Sequence, residues 1–145
     1  MAAERRSVLF LCTGNSCRSQ MAEGWARALH PGTDAYSAGT HPGTLDARAV
    51  RAMAEAGVDI SAQRPKSVDD LSGPFDLVVT VCDAAREACP WAPSLGPVRH
   101  MGFEDPPRLA AGAENDEQAM THYRRVRDEI RRFVETLDTT QGEGT

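Results

Sequence analysis

Residues 7 to 30 read SVLFLCTGNSCRSQMAEGWARALH. A short apolar run passes directly into a polar loop with one glycine. A helical pattern follows, with Met21, Trp25, Ala28 and Leu29 on one face. This order, strand then loop then helix, is the opening of a crossover unit and commits the chain to parallel strands if it repeats. It repeats. His30-Pro31-Gly32 stops the helix, and DAYSAG supplies a second strand closed by Gly39. The segment TLDARAVRAMAEAG predicts a second helix, with Leu45, Ala49, Val50, Met53 and Ala56 inward and Gly57 as its C-terminal cap.

FDLVVTV, between Pro74 and Cys82, is β-branched and apolar almost throughout, which predicts a central strand buried on both faces. DAAREAC reads as a short helix stopped by Pro90, PVRHMGF as a more polar edge strand, and EDPPRLAAGA as a loop. A long amphipathic helix closes the fold, with Ala119, Tyr123, Val126, Ile130, Phe133 and Leu137 as its apolar stripe. The run YRRVRDEIRR reads as its solvated face, held by i,i+4 pairs. The pattern predicts an α/β fold, a doubly wound parallel sheet, with the ligand site at the carboxyl ends of the strands where the strand order reverses. Cys12 and Cys82 each follow a strand immediately, so neighbouring strands would bring the two sulfurs together. Residues 1–137 read as a single catalytic domain and 138–145 as a disordered tail.

At 145 residues and 41% hydrophobic, the chain is one domain in size. Its charge of -5 argues against a nucleic-acid partner. The stretch MAAERRSVLFLC has an apolar run too short for a leader or a membrane span, which need roughly 7–15 and about 20 apolar residues. A cytoplasmic monomer with no membrane partner is expected. Four cysteines then point away from structural disulfides, and the absence of a C-x2-C pair makes structural zinc a poor reading. His30 and His41 each precede Pro-Gly and read as turn residues, and Trp25 and Trp91 as a core side chain and a loop anchor.

The loop from Cys12 to Ser19 stands where backbone N–H groups and a helix dipole converge on one point, and such a point binds an oxyanion. Thr13, Gly14, Asn15, Ser16 and Cys17 supply the cradle, and Arg18 adds a planar two-pronged donor. The same surroundings favour a thiolate at Cys12, to which Ser19 can donate. One glycine and no lysine exclude the nucleotide-binding P-loop pattern.

VLFLCTGNSCRSQMAEG closely resembles the low-molecular-weight phosphotyrosine phosphatases, and CDAAREACP with EDPP resembles the thioredoxin-coupled arsenate reductases of that fold. The resemblance runs from Val8 to about Leu137. It implies a three-layer, four-stranded sheet of order 2-1-3-4. It also implies Cys12 as nucleophile, Arg18 as clamp and Asp105 as general acid, with arsenate as substrate and phosphate or sulfate as competing oxyanions. Cys82 and Cys89 would complete a relay: Cys82 attacks Cys12, Cys89 attacks Cys82, and thioredoxin reduces the last disulfide, with no tightly bound cofactor. Cys17 is matched in phosphatases and reads as loop packing.

Seven residues of helix separate Cα atoms by roughly 10 Å, whereas a disulfide tolerates about 7 Å, so CDAAREAC is expected to unwind on oxidation. Asn15 resembles a loop-shaping asparagine with Ser37 as its contact. Some reductases bind potassium there, but DISAQRPKS carries Arg64 and Lys66 instead of a Thr/Asp pair, which predicts a cationic side chain in the ion's place. Pro107 stands near where phosphatases of this fold place an aromatic residue. A phosphatase or a non-enzymatic oxyanion sensor are the alternatives, and neither needs Cys82 or Cys89.

Overall fold

The structure is a computed structural model and describes residues 5–83 and 93–137. Four strands form one sheet: β1 (Arg6–Cys12), β2 (Thr33–Gly39), β3 (Leu77–Thr80) and β4 (Val98–His100). Their order is β2-β1-β3-β4 and every pairing is parallel, with Cys12 beside Gly39, Leu11 beside Thr80 and Thr80 beside His100. This is the order the resemblance implies. Chain direction across the sheet reverses at β1, so the carboxyl end of β1 is the switch point. FDLVVTV is shorter as a strand than its pattern suggests, yet it lies centrally as expected. PVRHMGF is the edge, and its backbone continues past β4 through Met101 N–H to Thr80 O and Phe103 N–H to Val81 O.

Side chains of β1 alternate between two apolar clusters, which explains why its run is continuous and not alternating. Val8, Phe10 and Cys12 join the helix-covered core, while Leu9 and Leu11 pack with Ala38, Phe75 and Val78 under Val68, Leu71 and Leu95. The helices are α1 (Arg18–Leu29), α2 (Ala47–Glu55), α3 (Pro106–Ala110) and α4 (Asp116–Glu135). In α2 the inward face is Ala49, Ala52 and Met53, with Leu45, Val50 and Ala56 packed partly exposed around it. All six residues of the α4 stripe are buried, and Trp25 is buried in α1. Arg124, Arg125, Arg127 and Arg131 of α4 form ion pairs, among them Arg125–Glu129 and Arg131–Glu135 at i,i+4.

One element corrects the expected loop at EDPPRLAAGA: residues 106–110 are helical. Paired prolines read as breakers, but at the first two positions of a helix they have no intrahelical partner to lose and their φ is preset. His30, expected as a turn residue, is also an anchor, with Nε2 lying 2.8 Å from the carbonyl of Val134. The expected helix over DAAREAC, the anchor Trp91 and the tail 138–145 lie outside the described residues. The free edge of β2 is occupied by side chains: Arg27 donates to Ala35 O at 3.3 Å, and Arg5 donates to Pro31 O at 3.2 Å just before the strand.

Candidate active site

Strand β1 delivers Cys12 to the carboxyl edge of the sheet, and the chain turns through Thr13–Cys17 before α1 begins at Arg18. The turn depends on Asn15, whose φ of +49 lies in the left-handed region that asparagine tolerates better than most residues. Gly39 lets the turn lie against the end of β2, since a Cβ there would meet Thr13 O at 2.5 Å. The outer side of the loop is tied by a strap, residues 41–46: His41, Gly43 and Asp46 N–H groups donate to the carbonyls of Thr13, Gly14 and Ser16 at 2.9, 3.0 and 2.9 Å. In a trans peptide N–H and C=O point in opposite directions, so the N–H groups of Gly14, Asn15 and Cys17 are turned inward. The Asn15 N–H indeed meets Cys12 Sγ at 3.3 Å.

Asn15 Nδ2 donates to Ser19 Oγ at 2.7 Å, and Ser19 Oγ lies 3.0 Å from Cys12 Sγ. Because the serine oxygen already accepts from Asn15, its own proton is free to point at the sulfur. Asn15 is oriented in turn by Lys66 N–H at 2.8 Å and Gln20 Nε2 at 3.1 Å on its Oδ1, and Gln63 Nε2 holds Gln20 Oε1 at 2.8 Å. Asn15, Ser19 and Gln20 are all fully buried. Ser37, expected against Asn15, instead donates to Glu23 Oε1 at 2.5 Å.

Cys12 through Arg18 line a cavity of about 310 Å³ together with Asp105 and Pro107. Arg18 is buried, with Nη1 donating to Phe103 O at 3.0 Å and Nη2 lying 3.6 Å from Asp105 Oδ1. The guanidinium is thus held before any anion arrives. Asp105 occupies the N-cap position of α3 but makes no capping hydrogen bond; its carboxyl faces the cavity and the arginine. Cys17, at the N-cap position of α1, is buried, and its thiol is pushed well above its ordinary value, chiefly by burial and then by Asp46 and Asp105. It stays a neutral thiol.

Cys82 follows β3 on the strand beside that of Cys12, and Val81 N–H donates to Leu11 O at 3.0 Å. Both sulfurs belong to one buried cluster. Cys12 and Cys17 are free thiols. Cys89 lies outside the described residues. The carboxylate of Glu23, buried below the loop, meets two cations as well as Ser37: Arg27 Nη2 at 2.6 Å and Lys66 Nζ at 3.8 Å. With both oxygens so engaged, these residues do not fit a potassium ion. Lys66 meets Asn15 through its backbone N–H, while its ammonium lies toward Glu23; Arg64 is exposed and contributes its carbonyl to Lys66 Nζ.

Sequence reasoning missed the strap, Gln20, Gln63 and the carbonyl of Phe103. Only Gly39 and the N-cap pattern at Asp46 left a signal of the strap.

A strand-loop-helix cradle with a buried cysteine, a clamped arginine and a facing aspartate defines a class. The chain belongs to the low molecular weight phosphotyrosine protein phosphatase family, whose profile matches residues 7–141. Within that class it is similar to an arsenate reductase of Bacillus licheniformis, 47% identical over 139 residues, which cover 91% of this chain and 97% of the relative. An arsenate reductase of Bacillus subtilis is also 47% identical, with 92% and 98% covered. Among solved structures, arsenate reductase from Archaeoglobus fulgidus aligns with a TM-score of 0.71 at 35% identity, covering 88% of this chain and 95% of that one. An arsenate reductase in the phosphate binding state aligns at 0.75 with 30% identity, covering 90% and 94%.

Proposed function

We propose that the protein reduces arsenate to arsenite through Cys12, Cys82 and Cys89 and is returned to its starting state by thioredoxin. The observation that carries this reading is Cys82, a second sulfur outside the oxyanion loop. It is buried in the same cluster as Cys12, just past the end of the adjacent strand. Hydrolysis of a phosphate ester has no use for it; a two-electron reduction does.

The loop amides and Arg18 hold arsenate, and the Cys12 thiolate attacks arsenic. Asp105 protonates the departing oxygen, which leaves as water and gives a Cys12–arsenic bond. Cys82 thiolate then attacks Cys12 Sγ. The sulfur–arsenic electron pair passes to arsenic, which leaves as arsenite, and a Cys12–Cys82 disulfide remains. Cys89 attacks Cys82, releasing the Cys12 thiolate, and the Cys82–Cys89 disulfide accepts two electrons from the thioredoxin dithiol.

Arg18, Cys12 and Asp105 suffice for slow phosphomonoester hydrolysis, and we expect it as a side activity. Pro107 in place of an aromatic wall gives a phenyl ring little to pack against. The carboxylate of Glu23 already meets Lys66 and Arg27, so turnover is expected to be independent of potassium. The described residues include no helix long and apolar enough to cross a membrane, and free thiol chemistry suits the cytoplasm.

The test is NADPH oxidation with arsenate, thioredoxin and thioredoxin reductase, in sodium and in potassium buffers, beside Cys82→Ser and Cys89→Ser. Turnover lost in both variants is the expected result. Absence of turnover in the parent, with phosphomonoester hydrolysis surviving both substitutions, would make the chain a phosphatase.

A further inference from the structure

Three carbonyls of the oxyanion loop hang on a strap whose residues 41–44 are exposed. A strap in water is a poor template for a cradle that must hold amide directions to a few degrees, unless one end is fixed. The fixed end is Asp46. Its Oδ1 accepts from Arg48 N–H at 2.9 Å as the N-cap of α2, its Oδ2 accepts from the Tyr123 hydroxyl at 2.6 Å, and its own N–H donates to Ser16 O. Tyr123 is 2% exposed, sits mid-helix in α4 and touches none of the reacting groups by hydrogen bond.

We infer that Tyr123, acting through Asp46, is a positioning residue for the oxyanion cradle. With both carboxylate oxygens fixed, Asp46 cannot rotate, so its N–H holds the Ser16 carbonyl outward. The following peptide then presents the Cys17 N–H to the bound anion, with Arg18 beside it. The hydroxyl of Tyr123 is 77 residues from Asp46 in sequence, and through it the long helix α4 sets the loop. The thiolate side of the loop, Ser19 and Asn15, is reached through separate hydrogen bonds from Lys66, Gln20 and Gln63. Anion affinity and sulfur reactivity therefore have different supports in this fold.

The inference rests on the proposed reading only in taking the loop as an anion cradle, and its test uses phosphate, which needs no electron donor. Tyr123→Phe removes the hydroxyl alone. Asp46→Ser keeps an N-cap acceptor for α2 but withdraws from Tyr123. On reduced protein, calorimetry is expected to give a phosphate Kd raised about tenfold in either variant, the scale of one hydrogen bond to a charged group. In the double variant Kd should rise no further, because both changes cut one link. The rate of Cys12 alkylation against pH, without phosphate, should match the parent. A parent-like Kd in Tyr123→Phe, whatever its melting temperature, overturns the inference, as do additive losses in the double variant. A parent that binds neither phosphate nor arsenate overturns it together with the cradle itself. Failure of the thioredoxin assay alone would leave the phosphate result standing.

Discussion

Cys12 and Cys17 are five positions apart in one loop, yet their surroundings differ. Cys12 has Ser19 Oγ and the Asn15 N–H turned toward its sulfur, while Cys17 is buried with Asp46 and Asp105 near enough to oppose its ionisation. A thiol whose folded pKa lies above its ordinary value of 9.0 stabilises the fold below that pH. Above it the unfolded chain sheds the proton that the folded chain keeps, and stability falls as pH rises. Each group so held contributes a slope of about 1.4 kcal/mol per pH unit. Tyr123, raised from 10.0 by burial and by Asp46, adds to the slope at higher pH. Urea unfolding in reductant should therefore lose stability less steeply above about pH 9 in Cys17→Ser than in the parent. Equal slopes would mean that Cys17 ionises as readily folded as unfolded. At this scale the sequence was informative, because Cys12, Arg18 and Asp105 belong to short motifs that stand at the ends of a strand and a helix. Gln63 and Tyr123 were silent: each acts through a partner 43 or 77 residues away, and nothing local marks such a contact.

Elements were legible where period and burial agree. The run FDLVVTV and the α4 stripe each announced both their type and their buried face. The prolines after Asp105 obscured α3, since the same residue that ends a helix also suits its first turn. The closing glycine of β2 is read in the sequence as a strand end, although its larger role is to let the loop pass. Replacing it probes that role, because in Gly39→Ala the new Cβ would press on the Thr13 and Cys12 carbonyls and the Asn15 nitrogen, all backbone atoms, at 2.5 to 3.0 Å. A loss of about 1–3 kcal/mol in unfolding free energy is expected, with weakened phosphate binding as the loop is displaced. Unchanged melting and unchanged affinity would show that the loop has room to spare there.

Across the whole molecule, α2 and α4 are joined by an exposed ionic network. Arg124 and Arg51 hold Glu55, and Arg51 and Arg48 hold Asp116. Hydrogen bonding from Arg124 lowers the Glu55 pKa from 4.5, and hydrogen bonding from Arg51 lowers that of Asp116 from 3.8. A depressed carboxylate stabilises the fold above its unfolded pKa, and the contribution disappears as pH falls through the folded value. Acid unfolding below pH 4.5 should therefore be less steep in Glu55→Gln than in the parent, and high salt should narrow the difference. An identical acid limb would mean that solvent already screens the network completely.

The outermost strand carries a different consequence. Arg27 reaches from α1 to take the Ala35 carbonyl on the open side of β2, while its other role is to neutralise Glu23. A strand arriving from another chain would have to displace that guanidinium to reach the Ala35 carbonyl. With Arg27 on the Ala35 carbonyl and the Gly39 N–H already paired to Lys66 O, that edge offers a broken template to a stacking copy of the chain.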